Sequence, residues 1–233
     1  MNLRQLSLAA ALVIAPIAAS AQSPQLNSIL SQMDTASASF KNTQADVKYD
    51  NYTRVVNDHS IQSGTLYVER NGNSENMGAV FYDIGPNGQP SKSPSKVIVF
   101  DGSTLRIYTP GVNQVDIFKA GANQAKYESF LTLGFGGSGK DLVRAWNITD
   151  QGPETIDGTK TEKLDLVSKD PSVKNMFTHV TVWIDPTRGL SLKQIFYAPN
   201  GDNRTATYSN LRLNGRIDKK PYSIPKNATP IQH

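Results

Sequence analysis

The sequence predicts a mainly β protein of the α+β class: a single large antiparallel sheet curled into an incomplete barrel, covered by an N-terminal helix and short central lid helices. Three observations carry this. Segments with a period of two recur between residues 44 and 213. Short turn-forming sequences separate them, including Asp101-Gly102, Asp157-Gly158 and Asn200-Gly201. Helical spacing is confined to one segment near the start and to a stretch in the middle. Strands joined by short turns are antiparallel neighbours, so about ten strands in meander order are expected. A sheet that wide twists into an open or partly closed barrel, and its apolar inner face needs a cover.

Residues 1–21 have the build of a cleaved signal peptide. Arg4 gives a basic start, residues 6–19 are apolar, and Ala19-Ser20-Ala21 supplies the small residues of a cleavage site. A retained anchor is the alternative, but Pro16 interrupts the run, which falls short of the roughly 20 apolar residues a bilayer requires. Residues 22–233 are then an exported chain, of a size that suits one domain with a full core. With no cysteine, the chain has neither disulfides nor the thiol through which a lipoprotein receives its lipid, so stability must come from packing. The net charge of +4, about +3 once Arg4 is removed, is spread without a basic block, which argues against nucleic acid as a partner.

Ser23-Pro24 is a helix start, and Leu26, Ile29, Leu30, Met33 and Phe40 form the apolar stripe of a helix reaching about residue 42. Strands are expected over residues 44–56, 61–70 and 77–83, with Leu66, Val68 and Arg70 on one face. Residues 85–95, rich in Pro, Gly and Ser, read as a loop. Residues 96–100 and 104–108 flank the Asp-Gly turn as a hairpin, and Pro110-Gly111 leads into residues 112–118. Residues 125–133 and 140–146 have helical character, with glycines between them. Strands resume over residues 146–151, 154–156, 160–168, 176–184, 190–198 and 203–213. The basic stretch beyond, with Arg212, Arg216, Lys219, Lys220 and Lys226, reads as a solvated terminus.

Motifs of bond-making chemistry are weak. Residues 134–140 have the spacing of a phosphate-binding loop, but Asp141 stands where a hydroxyl should hold magnesium, and the preferred reading is a flexible link between two lid helices. His59, His179 and His233 are far apart and lack ligand spacing, so no metal or other cofactor is expected. No G-x-S-x-G elbow occurs, and no pair of carboxylates stands out, so the chain is not read as an enzyme. Arg70 differs from these, because it ends a strand among apolar same-face neighbours. Its guanidinium either snorkels to solvent or finds acceptors at the end of a covering helix.

The stretches Phe40-Lys41-Asn42-Thr43-Gln44-Ala45-Asp46, Gly64-Thr65-Leu66-Tyr67-Val68-Glu69-Arg70 and the hairpin from Val97 through Asp101-Gly102 to Tyr108-Thr109-Pro110 occur in the order seen in a known family. In them the chain resembles the periplasmic outer-membrane lipoprotein carriers of the LolA type. The resemblance implies a half-barrel whose lid is latched by Arg70, with a cavity for acyl chains lined by Leu66, Val68, Val97, Val99, Leu105, Ile107, Phe130, Leu131, Leu133 and Ile195. It implies a monomeric periplasmic carrier of acylated lipoproteins, loaded by an inner-membrane lipoprotein-releasing ABC transporter and unloaded at an outer-membrane receptor. An envelope lipid-binding sensor on the same fold is the alternative. Two departures stand out: Asn71-Gly72-Asn73 follows the arginine where many relatives have proline, and residues 85–95 look like an insertion near the cavity mouth.

Overall fold

The alternating segments do pair into one large sheet. The structure, a computed structural model, describes residues 24–72, 74–119, 121 and 132–233; the expected signal peptide, Ser23 and most of the expected central helix, with Phe130 and Leu131, lie outside the described residues. The strands are β1 Asn42–Thr53, β2 Asp58–Asn71, β3 Ser74–Asp83, β4 Lys96–Phe100, β5 Thr104–Thr109, β6 Gln114–Lys119, β7 Trp146–Ile156, β8 Thr159–Ser168, β9 His179–Asp185, β10 Leu190–Tyr197, β11 Asn203–Leu213 and β12 Thr229–Gln232. Among the described residues three α-helices accompany them, α1 Pro24–Ser39, α2 Gly139–Ala145 and α3 Pro171–Met176. None of these is long and apolar enough to cross a membrane.

The strand order, β12-β6-β5-β4-β3-β2-β1-β11-β10-β9-β8-β7, corrects the simple meander. The chain steps outward from β1 to β6, reappears at the opposite edge as β7, and steps back to β11, which pairs with β1 from Thr43↔Leu213 to Tyr52↔Asn203. A plain meander would have left β1 as an edge with unpaired backbone groups, and β11 satisfies them. β6 and β7 lie on opposite flanks and never pair, so the sheet stays an open half-barrel, as expected.

Local chemistry explains the turns and helix ends. At Asp101-Gly102, Gly102 takes φ +84° while Asp101 Oδ1 accepts from the amides of Ser103 (3.0 Å) and Thr104 (2.8 Å), which closes the β4–β5 hairpin. Ser138 and Asp141 form a capping box that starts α2, which accounts for the acid at the seventh position after Gly134. The unpredicted α3 begins at Asp170-Pro171, where Asp170 accepts from the Ser172 amide at 2.8 Å. Residues 146–156 form one strand rather than two, because a register shift between Asp150 and Pro153 absorbs Gly152.

Strand alternation sends apolar side chains to both faces. On the inner face, α1 lays Leu26, Ile29, Leu30 and Met33 against Leu164, Leu166, Val180, Val182 and Ile184 of β8 and β9. On the outer face, Tyr67, Val80, Val97, Tyr108 and Val115 are covered by Tyr222, with Ile217, Ile224 and Ala228 packed against them. The tail is therefore a packed strap, which corrects the solvated terminus. Its charges point to water while Ile217, Tyr222, Ile224 and Ala228 turn towards the sheet. β12 then pairs in parallel with β6 and covers that edge.

Candidate functional site

The inner face divides into two apolar clusters, and α1 seals only one of them. The other is built by β1–β5 and β11, where Leu66, Val68, Met77, Phe81, Phe100 and Leu105 are buried. Towards the β6 flank the cover is thinner, leaving Ile98, Ile107 and Phe118 half-buried at the rim. This is apolar surface within reach of a hydrophobic guest.

Leu66, Val68, Leu105 and Ile107 lie on this face. Val97 and Val99 do not: they sit on the outer face against the tail, and β4 turns Ile98 and Phe100 inward instead. The run Val97-Ile98-Val99-Phe100 is apolar on both faces, so no alternation in it identifies the inner side. Ile195 is also corrected. Its neighbours Gln194 and Phe196 are the buried, inward residues of β10, and Ile195 opposes Thr181 and Thr205 on the other face. A register shift between Ser191 and Lys193 resets the alternation before it.

Arg70 finds its acceptors. Its Nη1 donates to Ser37 O at the end of α1 (2.7 Å) and, more weakly, to Phe40 O (3.4 Å), while Nη2 donates to Gly136 O (2.9 Å) and Ser37 Oγ (3.2 Å). Glu75 Oε1 lies 3.5 Å from Nη2, and the Phe40 ring sits 5.4 Å beneath the guanidinium carbon. One planar group thus ties β2 to α1 and to the loop ahead of α2. Ser37 Oγ donates to the same Gly136 carbonyl at 2.7 Å.

That loop is pinned, not flexible. Gly134 and Gly136 adopt φ +79° and +78°, and a Cβ would fall 2.6 Å from Ser191 at the first and 2.3 Å from the Phe40 ring at the second. Between them Phe135 is buried against Tyr208, ring centroids 4.8 Å apart. The amide of Ser191 donates to Gly134 O (2.7 Å), and that of Gly136 donates to Gly189 O (3.1 Å). Gln194 Nε2 reaches Leu133 O at 2.6 Å, and its Oε1 accepts from Tyr208 Oη at 3.0 Å. Burial pushes the Tyr208 phenol well above its usual value, so it stays a donor. Leu133 itself packs into the α1 cluster. The glycines are therefore spaced for close packing on the sheet. Gln194 and Tyr208 escaped the sequence reading, although two polar groups at inward positions of adjacent strands are a signal.

Beside the latch, a cleft of about 570 Å³ opens between α1, α2 and the β2–β3 hairpin, lined by Met33, Ser37, Arg70, Ser74, Leu133 and Trp146 among others. Of the hairpin residues that follow Arg70, Gly72, Ser74 and Glu75 border it. The loop at residues 85–95 does not, because Pro90 lines a groove on the outer face with Lys48 and Thr207.

No protein-family model matches the chain, and no curated protein resembles it in sequence. Among solved structures, a conserved protein from Thermus thermophilus superposes with a TM-score of 0.52 at 12% identity, over 90% of this chain and 99% of its own. MucB superposes with a TM-score of 0.51 at 12% identity, over 89% of this chain and 66% of its own. The LolA superfamily protein NE2245 from Nitrosomonas europaea aligns over 83% of this chain and 96% of its own, at 17% identity and a TM-score of 0.35. At such identities the likeness is one of fold alone, and it is the fold of the Thermus thermophilus protein and of MucB that this chain shares.

Proposed function

We propose that the protein is a non-catalytic carrier of the cell envelope, which holds the acyl chains of lipoproteins on the inner face of its half-barrel and carries them from the inner to the outer membrane. In this reading it is a periplasmic monomer that loads at an inner-membrane lipoprotein-releasing ABC transporter and unloads at an outer-membrane receptor. The observation that carries the proposal is the Arg70 latch, which spans α1 and the Gly136 loop at one end of a partly sealed apolar face.

Magnitudes support it. Burying an acyl chain of some fourteen methylenes yields on the order of 11 kcal/mol before ordering costs, at about 0.8 kcal/mol per methylene. The two short bonds from Arg70 to carbonyls contribute roughly 3–6 kcal/mol together, at about 1.5–3 kcal/mol for each charged hydrogen bond. One incoming chain can therefore displace the latch, and the latch can re-form when the chain leaves. Arg70→Leu removes those bonds and adds apolar surface, so the variant is expected to take up an acylated lipoprotein but to release several-fold less of it to outer-membrane vesicles. Transfer at the normal rate would remove the latch from the account. Co-purification of a membrane protein without lipid would favour the sensor reading instead.

A further inference from the structure

A row of rings crosses the inner face at the end opposite Arg70. Phe81 of β3 stacks on Tyr49 of β1 with centroids 4.7 Å apart, and Phe177 lies 5.3 Å from Phe196 of β10. Between the two pairs stands Arg204 of β11, its guanidinium carbon 5.0 Å from the Tyr49 centroid and 4.9 Å from the Phe196 centroid. The charge therefore sits where the two apolar clusters meet. Its Nε is buried without an acceptor, and among the described residues no carboxylate pairs with the side chain.

Rings satisfy the faces of a guanidinium but not its N–H edge, which presents up to five donors in one plane. Leaving such an edge without acceptors in a half-buried place is costly. The two rings also flank the group and hold it in place, and a guanidinium so held can bind a phosphate or carboxylate with two prongs. Along β1, Arg204 lies opposite Asn51, whereas the amide of Arg70 bonds to Lys41 O. That separation is roughly 33 Å of strand at about 3.3 Å per residue, room for an extended acyl chain between the two arginines.

We propose that Arg204 receives the anionic group, phosphate or carboxylate, of an amphiphile whose acyl chains lie along the inner face. The inference rests on the acyl-chain binding of the reading above and goes beyond its lipoprotein cargo, whose diacylglyceryl anchor carries no anionic group: among lipids, a guest with a charged polar end is favoured over one whose polar end is neutral.

The test titrates the mature chain, residues 22–233, by calorimetry with dihexanoyl phosphatidic acid, dihexanoylglycerol and inorganic phosphate, and repeats the titrations with Arg204→Met and Arg204→Lys. The native protein is expected to prefer phosphatidic acid over the diglyceride about ten-fold, the scale of one bidentate charge-assisted contact. Arg204→Met is expected to abolish that preference, chiefly by weakening phosphatidic acid. Should Arg204→Met fail to fold, Arg204→Lys carries the comparison: it keeps the charge but loses the fork, and is expected to lose most of the preference. An unaltered preference in either folded variant, or equal binding of both lipids by the native protein, overturns the inference and leaves lipid binding standing. Binding of neither lipid overturns both. Phosphate binding as tightly as phosphatidic acid assigns the site to a free anion and overturns the amphiphile.

Discussion

Arg70 and Asp101 show what single side chains contribute and how far each can be read in advance. Arg70 is legible because Leu66 and Val68 fix its face, and a charge on an apolar face requires acceptors. Which acceptors it finds depends on backbone distant in sequence, and nothing local indicates Gly136. Val97 and Val99 mark the opposite case, since a strand buried on both sides carries no mark of inner and outer. Asp101 supports a pH prediction. Partial burial would raise its pKa, but hydrogen bonds from Arg106, Ser103 and Thr104 outweigh this and hold it at about 2, against 3.8 for the free side chain. A depressed carboxylate stabilises the fold above its unfolded value, and that contribution is lost as pH falls from 3.8 through 2. At a side chain 39% exposed, solvent screening leaves on the order of 1 kcal/mol. Urea titrations should show Asp101→Asn less stable than the native protein at pH 7, with the gap narrowing as pH falls from 3.8 through 2; a constant gap would place the effect in the turn geometry rather than in the charge.

At the scale of elements, hairpin turns were the legible parts, because Asp-Gly acts within a few residues; the Ser-x-x-Asp start of α2 and the Asp-Pro start of α3 are equally local signals, but they escaped the sequence reading. The C-terminal strap was not. Its apolar residues Ile217, Tyr222, Ile224 and Ala228 are isolated among charges and prolines, so no periodicity marks them. Tyr222 anchors the strap. It is buried, its ring meets Tyr67 edge-on at 4.8 Å, and its hydroxyl lies 3.2 Å from Gln44 Nε2 and 3.0 Å from Thr65 Oγ1. Tyr222→Ala is expected to cost about 3 kcal/mol, in the range of buried aromatic truncations. It should also raise hydrogen exchange in β12 and along the β6 edge. A loss below about 0.5 kcal/mol, the size of an ordinary surface change, would show that the strap is dispensable.

For the whole molecule, the open sheet with an inner apolar face was readable from alternation and turn spacing, but the pairing of β1 with β11 was not. That contact joins the two ends of the sheet-forming chain and depends on which free edge the returning strands meet. It also brings the two clusters of the inner face together, with Arg70 at one end of the groove and Arg204 at the other. In the proposed role, acyl chains occupy this inner face and no other surface. The most direct measurement places a photo-crosslinking amino acid at Ile107, on the inner face, or at Val99, on the outer face of the adjacent strand, in cells fed a radiolabelled fatty acid. Label is expected to attach at position 107, while position 99 crosslinks to the protein's own C-terminal strap; label at both positions alike, or at neither, would contradict the account.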